Sequence, residues 1–196
     1  MAITNGYCTL ADLKARIFTD TPSVDAARDA LIEGTIEAAS RWIDTWTGHQ
    51  FFATTATRYF TADHRDWLPV PDLLTVTTLK TDDDGNRVYE TTWAATDYDL
   101  HPFNNPPYQW IELPPNGLKT FPLYARGVEI AGTWGYASAT PDAVNEACLL
   151  LAARLWKRKD TILGVSGVSQ LGQLTVKVPV DDDIRGLLAA YMRIGL

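Results

Sequence analysis

Apolar positions follow a helical spacing at the start of the chain, a strand-like alternation in the middle and a helical spacing again at the end. Thr9 opens the first helical stretch. Its hydroxyl can cap, Asp12 stands in the capping-box position, and Leu10, Leu13 and Phe18 form the apolar side. Asp20-Thr21-Pro22 breaks the chain, and Ser23 is the expected cap of a second helix from about Val24 to Thr47, with Asp25 in its first turn. Ile32, Ile36, Ala39, Ile43 and Trp46 recur at steps of four and three, and Leu31, Ala38 and Trp42 widen that stripe. Gly48 is placed to end the helix as a left-handed cap.

From about Phe51 to Thr140 the helical period stops and β-branched and aromatic residues dominate. Strands are expected at Thr54 to Phe60, Leu73 to Lys80, Arg87 to Glu90, Tyr98 to His101, Trp110 to Leu113 and Val128 to Trp134. Asp82-Asp83-Asp84-Gly85-Asn86 reads as the turn between the second and third of these. Pro69, Pro71, Pro102, Pro106-Pro107 and Pro114-Pro115 mark loops and edges, because proline cannot donate to a ladder.

Pro141 is expected at the first position of a third helix that runs to about Lys159. Its centre, Ala147 to Ala153, is apolar on every side, which predicts burial on every side, within the subunit or across a subunit boundary. Gly164 to Gly172 reads as a small-residue loop and Gln173 to Val178 as a strand. Asp181-Asp182-Asp183 then caps a last short helix, about Ile184 to Met192, whose apolar residues are Ile184, Leu187, Leu188, Tyr191 and Met192. The fold class is therefore α+β. A bundle of about four helices, residues 1–53 and 141–196, carries an irregular antiparallel β region, residues 54–140, between helices two and three.

Composition narrows the classes. The chain has 196 residues, 46% of them hydrophobic and 21% charged, a globular rather than a disordered profile. No apolar run reaches the ~18 residues of a membrane span, and the start of the sequence lacks the basic and apolar segments of a signal peptide. The formal charge is −7: residues 54–140 carry −5, residues 1–53 carry −3 and residues 141–196 carry +1. That balance argues against a phosphate-tracking surface. Seven Trp, eight Tyr and six Phe are an aromatic load that suits interfaces.

No constellation of residues builds an active site, so the expected role is not enzymatic and no cofactor is implied. Asp63-His64-Arg65-Asp66 carries metal-capable atoms but reads as a solvated connection. Asp82, Asp84 and Asn86 resemble the start of a calcium loop, which fails because Arg87 stands where Gly is needed and no Glu closes the loop. Gly164-Val165-Ser166-Gly167 lacks the Gly-Lys-Ser/Thr of a phosphate loop. Cys8 and Cys148 read as two reduced, packed thiols, and apolar burial would push the Cys148 thiol up and out of nucleophilic range. Arg154, Lys157, Arg158 and Lys159 could touch nucleic acid, but their spacing is also the one that complements the negative end of the third helix, the reading preferred for a net-acidic chain. Trp67, Trp93 and Trp110, if exposed, could stack on sugar rings.

Three segments carry a family resemblance. The first runs through Thr9-Leu10-Ala11-Asp12-Leu13-Lys14, Ile36 to Ile43, Thr47-Gly48 and Phe51-Phe52. The second runs through Gly132-Thr133-Trp134-Gly135-Tyr136, Pro141 and Ala147 to Arg158. The third is Leu187-Leu188-Ala189-Ala190-Tyr191. In order and spacing this resembles the head–tail connector (adaptor) proteins of tailed phages, in a long form with a β insertion. His49 departs from the pattern, where a basic residue is expected after the glycine.

The resemblance implies a structural virion protein assembled in the host cytoplasm. It would form a homo-oligomeric ring, usually of twelve copies, beneath the portal protein. Such a ring extends the DNA channel without binding DNA specifically and offers a platform to the next neck or tail protein, a stopper or tail terminator. It places Ile184, Leu187, Leu188, Tyr191 and Met192 at the portal contact. Trp42, Trp46, Leu150 and Trp156 are the expected subunit-interface residues. The alternatives are a tail-completion ring docking on the tail tube and a carbohydrate-binding module using the β region.

Overall fold

Thr9 caps α1 (Leu10–Ile17): its Oγ1 accepts from the Asp12 amide at 3.1 Å and donates to the Asp12 carboxylate at 2.6 Å. These positions belong to a computed structural model that describes residues 3–18, 25–158, 165–169, 172–175 and 182–193. Ser23 and the Asp20-Thr21-Pro22 break lie outside the described residues. The cap of α2 (Ala26–Thr47) is Asp25, whose carboxylate accepts from the amides of Ala27 and Arg28 at 3.1 and 3.2 Å. Gly48 ends α2 in the left-handed region at φ 77° and donates to Asp44 O, the geometry for which glycine is favoured.

The buried stripe of α2 is Ile32, Ile36, Ala39, Ser40, Ile43 and Thr47. It is narrower than the sequence suggests. Leu31 is 59% exposed, Trp46 is 37% exposed and Ala38 is exposed, because each lies beside the stripe rather than in it. Ser40 occupies an apolar position by satisfying itself: its Oγ donates to Ile36 O at 2.8 Å and accepts from the Tyr7 amide at 3.0 Å. The segment before α1 is held to the helices by the same kind of contact. Glu37 accepts from the amides of Thr4 and Asn5, Arg41 donates to Asn5 O, and Asn145 donates to Tyr7 O.

Pro141 precedes α3 (Asp142–Arg158) instead of opening it. Its carbonyl accepts from the amides of Val144 and Asn145, the role of a cap residue. The all-round burial expected of α3 is not observed within the chain. Val144, Ala147, Cys148, Leu149, Ala152 and Trp156 are buried, while Leu150, Leu151, Ala153 and Leu155 are half-buried. Helices α1, α2 and the last helix, α4 (Asp182–Leu188), pack against α3 on its buried side.

The last helix, α4 (Asp182–Leu188), begins two residues earlier than predicted. It tightens into a 3-10 turn at Ala189–Tyr191, and Met192 is extended. The small-residue loop of the sequence reading also needs correction. Val165–Ser169 (β7) pairs antiparallel with Gly172–Thr175 (β8).

In chain order, six strands separate α2 from α3: β1 (Thr54–Phe60), β2 (Trp67–Thr81), β3 (Thr91–Trp93), β4 (Asp99–His101), β5 (Tyr108–Glu112) and β6 (Val128–Trp134). They form an antiparallel sheet of order β1-β6-β2-β5-β4, with β3 also paired to β2. With four α-helices among the described residues this is an α+β fold. The chain divides into two compact units, residues 1–49 with 140–196 and residues 50–139.

Strand β2 starts well before the predicted Leu73 and contains Pro69 and Pro71. Both are tolerated because β2 pairs with β5 over Trp67–Leu73 and with β6 only from Leu73 onward, so that stretch is locally an edge. Arg87 to Glu90 is not a strand. Asp82 is buried and accepts the amides of Asp84, Gly85 and Arg87, which gathers the chain into a loop and delays pairing until Thr91.

The core of this unit is built on Leu68, Leu73, Leu79, Ile111, Phe121, Ile130 and Trp134. Gly132 sits where β6 meets the irregular register of β2, and a Cβ there would lie 2.2 Å from Thr75 O. Only glycine fits that approach.

Candidate assembly surfaces

The predicted portal-contact residues divide by burial. Ile184 and Leu188 are 0% exposed and hold α4 in the core of the helical unit. Leu187 and Tyr191 are half-buried and Met192 is 43% exposed, so these three retain outward surface. The turn after α4 is fixed to the end of α2. The Arg193 amide donates to Thr47 O at 2.9 Å, and the Arg193 side chain passes Gly48 so closely that a Cβ there would meet it at 3.2 Å.

The predicted subunit-interface residues divide in the same way. Trp42 and Trp46 stack with ring centroids 5.3 Å apart and planes within 10°. Leu150 is half-buried, whereas Trp156 is buried and lines a cleft of about 640 Å³ with Ile17, Phe18, Arg28 and Leu31. The Arg28 guanidinium lies 4.0 Å above the Phe18 ring in that cleft.

The helices that carry the two predicted sets touch. The Arg185 guanidinium lies 5.5 Å from the Trp46 ring centroid, which joins α4 to the Trp42–Trp46 stack in a cation–π contact. The sequence reading passed over Arg185. Its position next to the core residue Ile184 marks it as a flanking residue, but nothing in the spacing reveals that Trp46 faces it.

Ion pairs tie α1 to its neighbours. Lys14 pairs with Asp29, and Arg16 pairs with Glu146 at 2.7 Å. The Arg16 hydrogen bond holds the Glu146 carboxyl below its usual range and raises the Arg16 guanidinium in return. Burial pushes the Asp44 carboxyl up, against the opposing pull of Tyr7 and Arg41.

The candidate chemistry of the sequence resolves as follows. Asp63 to Asp66 is an exposed connection whose backbone is used structurally: Arg65 O accepts from Phe121 and Asp66 O from Leu113. Asp82, Asp84 and Glu90 each place a ligand atom within 4.8 Å of the others, so Glu90 stands where the sequence suggested Asn86. The Asp82 oxygens are already engaged by backbone amides. Burial raises that carboxyl, but the amides of Arg87, Gly85, Asp84 and Asn86 together hold it below the usual range. Arg154, Lys157 and Arg158 lie toward the C-terminal end of α3; Lys159 and Gly164 lie outside the described residues.

The three tryptophans do not form a sugar-stacking platform. Trp93 is 5% exposed, stacks on Phe121 at 5.0 Å and donates to Thr81 Oγ1 at 3.1 Å. Trp110 is half-buried and stacks on His101, and Trp67 meets His64 edge-on. Core packing of the small sheet accounts for Trp93, against the exposure the stacking reading needs.

Cys148 corrects a further expectation. Its thiol is lowered, chiefly by the hydrogen bond with Cys8, and burial in the helix does not offset that.

Among the described residues no helix is long and apolar enough to cross a membrane. No protein-family profile matches the chain and no curated protein matches it. Solved structures do. The chain is similar over its whole length to a chain in the neck of an empty gene transfer agent (GTA) particle resolved with C6 symmetry, at TM-score 0.65 and 21% identity over 94% of that chain. It is similar to a chain of the virion of the native GTA particle at TM-score 0.64 and 21% identity, again over 94% of that chain. A chain in the neck of the native GTA particle, computed with C12 symmetry, matches at TM-score 0.61 and 20% identity. The described fold, helices and inserted sheet together, is therefore one that occurs in particle-neck proteins.

Proposed function

We propose that this chain is a structural component of the neck of a phage-like particle, a head–tail adaptor whose copies form a closed ring between the portal and the tail. The observation that carries the reading is the fold match over the entire chain to proteins of GTA necks. The residue pattern resembling tailed-phage adaptors supports it independently, since it rests on sequence order rather than on shape. The C6 and C12 symmetries of those neck particles accord with a ring, here proposed as twelve copies. A heterologous contact that closes after a fixed rotation is the physical form such a ring takes.

In this reading the chain works by assembly, without catalysis or cofactor. Copies meet through helical surfaces that include Trp42, Trp46 and Leu150. Leu187, Tyr191 and Met192 face the portal, and Ile184 and Leu188 position them from the core. The next neck or tail protein docks on the far side. DNA passes through the ring, and the net charge of −7 disfavours its retention. Assembly takes place in the host cytoplasm and the product resides in the virion neck.

The test is affinity capture of the tagged chain from particle-producing cells, with captured proteins identified by mass and counted. Recovery of a ring-forming portal subunit in fixed stoichiometry is the expected result. Recovery of tail-tube proteins without portal assigns the chain to a tail-completion ring, and recovery of neither overturns the neck reading.

A further inference from the structure

The N-terminal segment and α3 meet at two thiols. Cys8 Sγ lies 3.4 Å from Cys148 Sγ, although 140 residues separate them in sequence, and both are free and buried. The surroundings of Cys148 are polar for so apolar a helix. Ser40 Oγ lies 3.5 Å from its sulfur, and the amides of Tyr7 and Cys8 also bear on it. Ser40 donates to Ile36 O and accepts from the Tyr7 amide, so its hydroxyl is fixed beside the pair.

We propose that Cys8 and Cys148 are a closable dithiol, which an oxidant of the hydrogen peroxide class converts to an intrachain disulfide fastening the N-terminal segment to α3. The proposal does not depend on the neck reading. The two sulfurs already touch, so closure has only to shorten their 3.4 Å contact to the about 2.05 Å of a disulfide bond.

The order of events follows from the two environments. The hydrogen bond from Cys8 and the amides of Tyr7 and Cys8 favour the thiolate at Cys148, whereas the contact with Cys148 and burial push the Cys8 thiol up. Cys148 therefore attacks first. Its sulfur bonds to one peroxide oxygen, the O–O bond breaks, and the departing hydroxide takes a proton to leave as water. Cys148 is then a sulfenic acid. Cys8 sulfur attacks Cys148 sulfur, the S–S bond forms, the S–O bond breaks, and hydroxide leaves with the Cys8 proton as a second water. Two thiols are oxidised by two electrons and one peroxide is reduced to two waters.

The test treats the native full chain with dilute hydrogen peroxide and reads its intact mass. The expected result is a loss of about 2 Da, one disulfide per monomer. Free thiols are lost, a non-reducing peptide map joins Cys8 to Cys148, and a raised thermal midpoint falls back on reduction. In the C8S variant, dimedone should trap Cys148 sulfenic acid at least about tenfold faster than it traps Cys8 in C148S. Equal rates would overturn the assigned order. A gain of about 16 or 32 Da without the joined peptide, a dimer linked between chains, or no reaction in the native chain when the denatured chain reacts would overturn the pair itself.

Discussion

Replacing Gly132 by alanine tests the packing of the sheet at its tightest point. Gly132 lies on β6 opposite Ala56 on one side and Val76 on the other, so β6 has a partner strand on each flank. An alanine Cβ would stand 2.2 Å from Thr75 O and 3.2 Å from Thr75 C, both backbone atoms. An ordinary C···O contact is about 3.3 Å, so the strands must separate by about 1 Å. β6 cannot move away from β2 without pressing on β1. Overpacking of a core costs about 1–3 kcal/mol, and backbone on both sides points to the upper end. For a unit the size of residues 50–139, each kcal/mol shifts the midpoint by about 4–8 °C, so the expected fall is about 12–24 °C. Thermal unfolding followed by near-ultraviolet circular dichroism reads it, because Trp93 and Trp134 belong to this core. Gly34→Ala on α2 is the control. Nothing lies within 4 Å of its added methyl, so it should gain about 0.5–1 kcal/mol. A midpoint for Gly132→Ala within about 2 °C of the parent would refute the strand-crowding argument.

Leu187→Asp should abolish portal binding and leave circular dichroism unchanged, since Leu187 is only half-buried; retained binding in a pull-down would remove α4 from the contact. Trp46→Ala should weaken ring assembly on the portal and release Arg185, read as fewer copies bound per portal by native mass spectrometry. For Asp82 the folded carboxyl titrates below its unfolded value. Its stabilisation is therefore complete above about pH 4 and is lost as pH falls through the folded value. Asp82→Asn should flatten that acid limb of the urea-unfolding midpoint, and an unchanged limb would deny Asp82 its loop-holding role. Asp44 acts with the opposite sign: its raised carboxyl makes its contribution weaken as pH rises. Glu146→Gln breaks a partly exposed pair with Arg16, so a loss under about 1 kcal/mol is expected by chemical denaturation.

The elements most legible in the sequence are those with strong local signals. Thr9 with Asp12, Gly48 after the α2 stripe, and the strands Thr54–Phe60 and Val128–Trp134 follow from capping and β-branched runs alone. What sequence could not supply depends on partners distant in the chain. Pro69 and Pro71 argue against a strand until β2 is seen to lack its second neighbour there. The three aspartates at 82–84 suggest a tight turn, yet burial of Asp82 draws the chain into a longer loop and moves the next strand to Thr91. Apolar character on every side of α3 predicts cover all round, but the described chain buries only one side of the helix, and spacing does not reveal which. For the candidate surfaces, spacing selected Ile184 and Leu188 together with Leu187, and only the packing of α4 on α3 separates core from surface. The Cys8–Cys148 contact was invisible for the same reason: 140 residues intervene, and no periodicity links a loop thiol to a helical one.

A neck protein sits where head and tail meet. Gold labelling tests it directly: a tag placed at the fully exposed Leu118 is decorated on intact particles and imaged by electron microscopy. Gold is expected only at the junction of head and tail, at up to twelve sites around one ring. Gold along the tail or at its tip, or particles that carry none while the tagged chain remains free, would contradict it.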